Sequence, residues 1–197
     1  MTAQQQLAGI VLAAGAASRF GGPKQVALLG GVSLVTRAAR LALPYCPAGV
    51  VVVTGAYAGE VHASLAGLPV RMAHNADWAT GMAASIRCGL AALPAGVSAC
   101  LIMLCDQTAV DEQDLRRLVE AWLAAPECVA AAQYAGTLGV PAIFPPACWP
   151  GLRTLSGDQG ARALIASLPA VTTVSIPHAA RDIDTPADLR ELRGQLP

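Results

Sequence analysis

The strongest constraint on the fold is an unbroken apolar segment near the N-terminus, Leu7 to Ala14, which ends at Gly15. A strand with one solvated face alternates apolar and polar residues, whereas a strand of a parallel sheet is covered on both faces and is apolar throughout. The segment therefore predicts an interior strand of a parallel sheet.

Further strand and helix patterns alternate along the chain. The clearest later strands are GVVVVTG at 49–55 and SACLIMLCD at 98–106. Weaker strand patterns lie at 69–75, 128–134, 140–145 and 171–177, and helical patterns at 33–43, 81–93, 111–125, 160–168 and 186–196. The third helix has a capping residue in Asp111 and apolar residues spaced by three and four. This alternation predicts an α/β fold, a three-layer, mostly parallel open sheet with a short antiparallel hairpin near 128–145.

Length and composition narrow the class of protein. The chain has 197 residues, 54% of them hydrophobic, and its 13 Lys and Arg equal its 13 Asp and Glu. That length predicts a single domain over 1–197, and the balanced charge argues against nucleic acid or an anionic membrane as partner. The six cysteines show no CxxC pair or zinc-ligand spacing, so we expect reduced, mostly buried thiols. With no signal peptide pattern and no long apolar stretch, we expect a soluble, cytoplasmic protein.

The loop after the first strand, residues 15–24, is rich in small residues and carries Arg19 and Lys24. It matches neither GxxxxGK[ST], because one residue too many separates Gly15 from Gly21, nor GxGxxG. Small residues let backbone N–H groups approach a triphosphate, and the two cations can bind its oxygens. The spacing alone is equally compatible with a tight strand exit flanked by two solvated cations.

Carboxylates also follow predicted strands, and ligands of open α/β sheets bind beyond the carboxyl ends of the strands. Asp106 ends the most apolar strand, and DIDTPADL at 182–189 supplies three more carboxylates. A carboxylate at the end of a buried strand needs a cation or hydrogen-bond donors, which points to a metal, although Asp106 could instead cap the following turn. Thr185 and Pro186 fit the N-cap and first position of a helix.

Residues 12–24, LAAGAASRFGGPK, resemble the LAAGxSxRxGxxK signature of the MobA-like nucleotidyltransferases, which transfer nucleotides onto molybdopterin. The resemblance extends in family order through TGMAASIRCGL, LCDQT, GVPAIF, LSGDQGAR and DIDTPADL. It implies a Rossmann-like nucleotidyltransferase fold and a Mg²⁺-dependent transfer of a nucleotide to an acceptor phosphate. The chain departs from the family's usual Gly-His-Pro or Gly-Asn-Pro at Val140, where a polar side chain is common.

The resemblance also implies roles for individual residues. Asp106 and Asp184 would hold the Mg²⁺, with Asp184 preferred to Asp182. The catalytic residues would be Lys24, Arg19 and Asp106, and the nucleotide-binding residues Ala13, Ala14, Gly15, Ala16, Arg19, Lys24, Gly81 and Ser85. From the pattern alone, Ser85 fits an ordinary helix better than a binding site. The roles of Asp158, which can cap a helix, and of Arg162, which either faces an anionic acceptor or is solvated, stay open, and Asn75 and Trp78 carry no assigned role.

The base and acceptor follow from the same resemblance. Family members with LAAG are generally cytidine users and those with LAGG guanine users, so Ala14 favours CTP. The expected reaction forms molybdopterin cytosine dinucleotide for an enzyme of the xanthine dehydrogenase type, whose apoenzyme would be a transient partner. The open alternatives are a GTP-using or sugar-1-phosphate nucleotidyltransferase, a noncatalytic nucleotide-binding chaperone for a molybdenum enzyme, and a Rossmann dehydrogenase, which the missing GxGxxG disfavours.

Overall fold

The computed structural model describes residues 6–194 and contains an open seven-stranded sheet. The strands of the described residues are β1 (Leu7–Ala13), β2 (Leu28–Leu29), β3 (Val32–Ser33), β4 (Val50–Thr54), β5 (Val70–His74), β6 (Ala99–Leu104), β7 (Val129–Tyr134), β8 (Thr137–Phe144) and β9 (Val171–Ser175). The sheet order is β5-β4-β1-β6-β8-β7-β9, while β2 and β3 form a separate antiparallel pair. Only β8 runs antiparallel to its sheet neighbours. The predicted mostly parallel sheet is confirmed, and β7 with β8 forms the predicted hairpin.

Helices flank the sheet. Those of the described residues are α1 (Leu34–Ala42), α2 (Ala58–Ser64), α3 (Met82–Ala91), α4 (Glu112–Ala124), α5 (Trp149–Thr154), α6 (Ala161–Ser167) and α7 (Pro186–Gly194). Five of them match the predicted helices, although residues 195 and 196 of the last prediction lie outside the described residues. The pattern does not predict α2, which buries only Val61, or α5, which contains the poor helix formers Pro150 and Gly151.

Local capping fixes where two of these helices begin. Asp111 Oδ1 accepts a hydrogen bond from Asp114 N at 2.9 Å, and Asp114 Oδ2 accepts one from Asp111 N at 3.0 Å, which is a capping box. At α7, Asp188 N donates to Thr185 Oγ1 at 3.3 Å. Both predicted caps are confirmed, and the second fixes the start of the helix that follows Asp184.

The sheet separates two apolar cores. Alternate residues of β1 point to opposite faces, so that Val11 joins the core under α1 and α4, while Ile10 joins the core under α3, α5 and α6. A Cβ at Gly89 of α3 would lie 2.6 Å from Ile10 Cγ2. Because Gly89 has no side chain, α3 can lie directly on the sheet. This close packing also fixes how far Ser85, one turn earlier in the helix, lies from the sheet.

The cysteines of the described residues are all free thiols. Cys46, Cys100 and Cys105 are buried, and the other three are partly exposed. Within residues 6–194, no helix has the length and apolar character needed to cross a membrane.

Candidate active site

The small-residue loop and Asp106 meet because β1 and β6 are parallel neighbours in the sheet. The loop leaves the carboxyl end of β1, and Asp106 lies just beyond the carboxyl end of β6. The C-terminal segment reaches the same edge, where Ile183 N donates to Asp106 O at 3.2 Å. That backbone hydrogen bond brings Asp184 to the site.

Lys24 lies between two carboxylates. Its Nζ is 2.7 Å from Asp106 Oδ2 and 3.4 Å from Asp184 Oδ1. The side chains of Lys24 and Asp106 are only 12% and 17% exposed, so solvent screens their attraction weakly. Burial lowers the pKa of Lys24, but the charge and hydrogen bond of Asp106 outweigh burial and raise the pKa above its ordinary value. Lys24 is therefore a cation at neutral pH.

Arg19 makes a more exposed ion pair at the same site. Its Nη1 is 2.9 Å from Asp184 Oδ2, and its side chain is 75% exposed. Exposed ion pairs contribute about 0–1 kcal/mol, so the guanidinium can exchange Asp184 for a phosphate at small cost.

The loop is held in shape by its own turns and by one buried amide. Phe20 N and Gly21 N both donate to Ala17 O, and Ala17 adopts a φ of 49°, in the left-handed region. Gln25 is only 3% exposed, and its Nε2 donates to Gly15 O at 2.6 Å. The Gln25 side chain thus ties the end of the loop to its beginning.

A cavity of about 490 Å³ opens beside this loop. The predicted residues that line it are Ala13, Ala14, Gly15, Ala16, Lys24, Gly81, Ser85 and Asp106. Arg19 and Asp184 join the site through their ion pairs rather than through the lining. A second cavity of about 380 Å³, between α1 and the start of α4, contains none of the predicted site residues. The structure therefore brings every predicted site residue to one edge of the sheet.

Gly81 cannot carry a side chain in this structure. Its φ is 111°, and a Cβ would overlap the backbone of Gly157 and lie 2.7 Å from Asp158 N. Ala83 N donates to Gly157 O at 3.1 Å. The turn at Gly157 and Asp158 is thereby packed on the start of α3, and Asp158 lies in the cavity wall.

Ser85 is held by a residue that the sequence did not single out. Asn75 and Ser85 are only 5% and 6% exposed, and Asn75 Nδ2 donates to Ser85 Oγ at 3.1 Å. Asp77 N donates to Asn75 Oδ1 at 3.1 Å, and Asn75 N donates to Thr54 O at 2.8 Å. The signal in the sequence was the place of Asn75 at the carboxyl end of a predicted strand, where ligands bind in such sheets.

Asp182 adds a third carboxylate to this edge. Its pKa is raised to about 6, because desolvation and the negative charges of Asp106 and Asp184 disfavour the ionised form. Asp106 and Asp184 pair with Lys24 and Arg19, and Asp182 lies near them without an ion pair, so the edge concentrates negative charge that another cation would neutralise.

Residues 9–172 match the MobA-like NTP transferase domain. The chain belongs to this family. The family is one of nucleotidyltransferases by its description, which makes the loop, lysine and aspartates the candidate site for a nucleoside triphosphate.

Three similar proteins align with this chain over nearly its whole length. Nicotine blue oxidoreductase of Paenarthrobacter nicotinovorans is 33% identical over 190 residues, which are 90% of this chain and 91% of that protein. The crystal structure of Rv0371c from Mycobacterium tuberculosis H37Rv is 28% identical with a TM-score of 0.80, covering 97% of this chain and 100% of that chain. A nucleotidyl transferase from Methanothermobacter thermautotroptrophicus is 25% identical with a TM-score of 0.81, covering 96% and 97%.

A divalent cation fits the carboxylates of this family member. Asp106 Oδ1 is buried without a hydrogen-bond partner, which is costly unless a cation or donor meets it. Within residues 6–194, no three His, Cys, Asp or Glu side chains converge as a complete metal site. Asp106 and Asp184 could hold a divalent ion only together with oxygens of substrate and water. A structure of Rv0371c is a complex with manganese, which supports the use of a divalent metal in this family.

Gln107, which follows Asp106, and the residues noted in the sequence without a settled role lie in different environments. Gln107 is buried, and its Nε2 donates to Val140 O at 3.1 Å and to Ala179 O at 2.9 Å. Val140 therefore accepts the hydrogen bond from Gln107 through its backbone carbonyl, since its apolar side chain has no hydrogen-bonding group. Asp158 lines the cavity, whereas Arg162 is exposed and lies outside the lining.

Proposed function

We propose that this protein transfers CMP from CTP to the phosphate of molybdopterin and releases pyrophosphate. The observation that carries the proposal is Lys24, held between Asp106 and Asp184 at the rim of a cavity whose wall is a loop of small residues. Such a loop lets backbone N–H groups approach a triphosphate closely. The lysine can bind phosphate oxygens, and the two aspartates can bind a cation that neutralises the phosphate charge.

The reaction needs little from the protein besides positioning and charge. An oxygen of the acceptor phosphate attacks the α-phosphorus of CTP and forms a new P–O bond. The bond from the α-phosphorus to the bridging oxygen breaks, and pyrophosphate leaves with that electron pair. Because a phosphate oxygen is already nucleophilic at neutral pH, neither a Ser or Cys nucleophile nor a strong base is required.

The chain's residues divide this work. Lys24 donates hydrogen bonds to phosphate oxygens and stabilises the charge that grows on them as pyrophosphate leaves. Arg19 turns from Asp184 to the phosphates, and the backbone from Ala13 to Ala16 holds the nucleotide. Mg²⁺ bound by Asp106 and Asp184 would supply further charge neutralisation and orient donor and acceptor.

The preference for a pyrimidine rests on Ala14. Its side chain is 4% exposed, its carbonyl accepts a hydrogen bond from Ala56 N, and a Cβ at Gly55 would lie 2.9 Å from Ala14 Cβ. Ala14 lines the cavity and its methyl is fixed beside Gly55, and on the family resemblance it takes space that a larger purine would need. The molybdopterin acceptor and a transient contact with a xanthine dehydrogenase type apoenzyme are inferred from the family resemblance.

The test is pyrophosphate release by the purified protein with Mg²⁺, molybdopterin and each of the four nucleoside triphosphates. We expect release with CTP, and a large loss of turnover in Asp106→Ala that exceeds any loss of folded protein. Equal release with GTP would reject the cytosine assignment. Nucleotide binding without release in any combination would favour the chaperone, and release with a sugar 1-phosphate in place of molybdopterin would identify a different acceptor.

The name of the relative from Paenarthrobacter nicotinovorans favours a second candidate, an oxidoreductase. Its test is oxidation of NADH or NADPH in the presence of nicotine blue, followed by absorbance of the reduced nicotinamide. Oxidation that survives Lys24→Ala and needs no divalent cation would support this candidate over nucleotidyl transfer.

A further inference from the structure

Asp184 lies in a short segment without regular secondary structure, residues 181–185, between a 3₁₀ helix (Pro177–Ala180) and α7. In such a segment no strand ladder or helix sets the direction of a side chain, so individual contacts must hold the backbone. On one side of Asp184, Ile183 N donates to Asp106 O at 3.2 Å, and the Ile183 side chain is fully buried. The contacts on the other side come from α7.

The side chain of Asp188 makes these contacts. Its Oδ2 accepts one hydrogen bond from Asp184 N at 3.0 Å and another from Thr185 N at 2.8 Å. The bond from Thr185 is the ordinary one of a capping box, whereas the bond from Asp184 lies one residue outside it. The two N–H groups belong to the planar peptide units on either side of the Asp184 Cα. A single carboxylate oxygen therefore fixes the direction in which the Asp184 side chain leaves the backbone.

The helix that carries Asp188 is itself firmly attached. Leu189 is 5% exposed and packs in a small apolar cluster that includes Leu29 and Ile183. At the other end of α7, Arg193 donates to Leu28 O from Nε at 3.0 Å and from Nη2 at 2.6 Å. The helix is thus fixed to the fold near its start and near its end.

The Asp184 carboxylate held in this way faces the other charged groups of the site. Its Oδ1 is 3.4 Å from Lys24 Nζ, and its Oδ2 is 2.9 Å from Arg19 Nη1. Mg²⁺ demands near-ideal octahedral geometry with oxygens at about 2.0–2.1 Å, so a small displacement of one ligand weakens binding. Hydrogen bonds that orient a metal ligand typically contribute about 10–100-fold to metal affinity.

We propose that Asp188 is a positioning residue that orients Asp184 toward the divalent cation of the bound triphosphate. The inference rests on the proposed nucleotidyl transfer and adds a residue that does not line the cavity. Without the Asp188 carboxylate, the contact at Ile183 remains, but both peptide units beside Asp184 are released. The nucleotide loop and Lys24 keep their own contacts, so the loss falls on the cation and not on the nucleotide itself.

The experiment measures the Kd of CTP by titration calorimetry on the purified full chain, once with Mg²⁺ and once with EDTA. The Kd in EDTA divided by the Kd in Mg²⁺ is the magnesium ratio. We expect a ratio above one for the wild type. Asp188→Ala should lower the ratio about tenfold, or to about one, because Asp184 is no longer held for the cation. The Kd in EDTA should stay at the wild-type value.

Three variants separate this role from capping and from charge. Asp188→Asn keeps one side-chain oxygen that can accept both hydrogen bonds, so it should retain most of the magnesium ratio. Thr185→Val removes the hydroxyl that accepts from Asp188 N at 3.3 Å but leaves both bonds to Oδ2, so it should lower the Tm and keep the ratio. Glu191→Gln removes a negative charge from an exposed position of α7 and should also keep the ratio.

The inference is overturned if Asp188→Ala folds and keeps the wild-type ratio. It is also overturned if Asp188→Asn loses as much as Asp188→Ala, which would make the effect one of charge, or if Thr185→Val loses as much, which would make it one of helix stability.

Two further results are decisive. If Asp188→Ala does not fold, amide hydrogen exchange in the wild type decides: slow exchange at Asp184 N supports the inference, and exchange as fast as in an unstructured chain overturns it. A wild type that binds no CTP, or binds it equally with and without Mg²⁺, rejects the proposed Mg²⁺-dependent function together with the inference. A wild-type magnesium ratio above one that Asp188→Ala retains rejects the inference alone.

Discussion

Replacing Lys24 by alanine separates the contribution of the lysine to catalysis from its contribution to stability. The lysine Nζ is 2.7 Å from Asp106 Oδ2, and neither side chain is more than 17% exposed. Breaking a fully buried ion pair costs about 3–5 kcal/mol, and breaking an exposed one about 0–1 kcal/mol. For this largely buried pair at the rim of an open cavity we expect a loss of about 2 kcal/mol of unfolding free energy. A domain with a typical stability of about 5–15 kcal/mol remains folded after that loss.

In Lys24→Ala, the rate of pyrophosphate release should fall by a much larger factor than the fraction of folded protein. A preorganised donor to developing charge contributes about 10²–10³-fold to turnover, so Lys24→Ala is expected to reduce pyrophosphate release from CTP by that factor. The measurement pairs initial rates at saturating CTP with urea denaturation in the same buffer. Arg116→Ala, which removes a cation from an exposed position of α4, is the matched control and should retain both activity and stability.

One result would refute the reasoning about Lys24. If the variant is folded and its rate is within about threefold of the wild type, the lysine does not contact charge that develops in the reaction. A fall in rate that only follows the fraction of unfolded protein would make Lys24 a structural residue of the carboxylate cluster.

Two further perturbations test the electrostatics and the packing of the site. The pKa of Asp182 in the folded protein, about 6, lies above its ordinary value of 3.8. The ionised carboxylate therefore destabilises the fold above about pH 6, and this destabilisation disappears as the pH falls below 4. Asp182→Asn should therefore raise the Tm of metal-free protein at pH 8 but not at pH 4, and equal shifts would contradict the cause given for the pKa. Gly81→Ala should lower the Tm and weaken nucleotide binding, because its Cβ would overlap the Gly157 backbone, whereas Gly59→Ala, in an open helical position, should stabilise by up to about 1 kcal/mol. A Gly81→Ala variant with wild-type Tm would show that the 157–158 turn moves freely.

Patterns local in sequence predicted most of the fold. The apolar run from Leu7 is visible because both faces of β1 are buried, and the third predicted helix is visible because its cap and apolar stripe lie within one segment. The sequence pattern does not predict the short helices α2 and α5, because each buries few side chains and α5 also contains Pro and Gly.

The site was predictable where its chemistry is carried by a motif, and not where it depends on contacts between distant segments. Lys24 and Asp106 stand in recognisable motifs, and the structure joins them in one ion pair. Gln25 donates a hydrogen bond to Gly15 and Asn75 donates one to Ser85, and neither partner can be inferred from the spacing along the chain. The raised pKa of Asp182 likewise depends on carboxylates that approach it only in the folded protein.

The backbone hydrogen bond from Ile183 to Asp106 has a consequence for the order in which the protein is made. Lys24 and Asp184 are separated by 160 residues, and the ribosome releases the N-terminal portion first. The loop at residues 15–24 and Asp106 therefore leave the ribosome well before the segment that carries Asp184. An unfinished or proteolytically shortened chain that ends before this segment would retain the loop and Asp106 but lack Asp182 and Asp184, two of the three carboxylates at this edge, so the complete candidate site is confined to chains that include this segment.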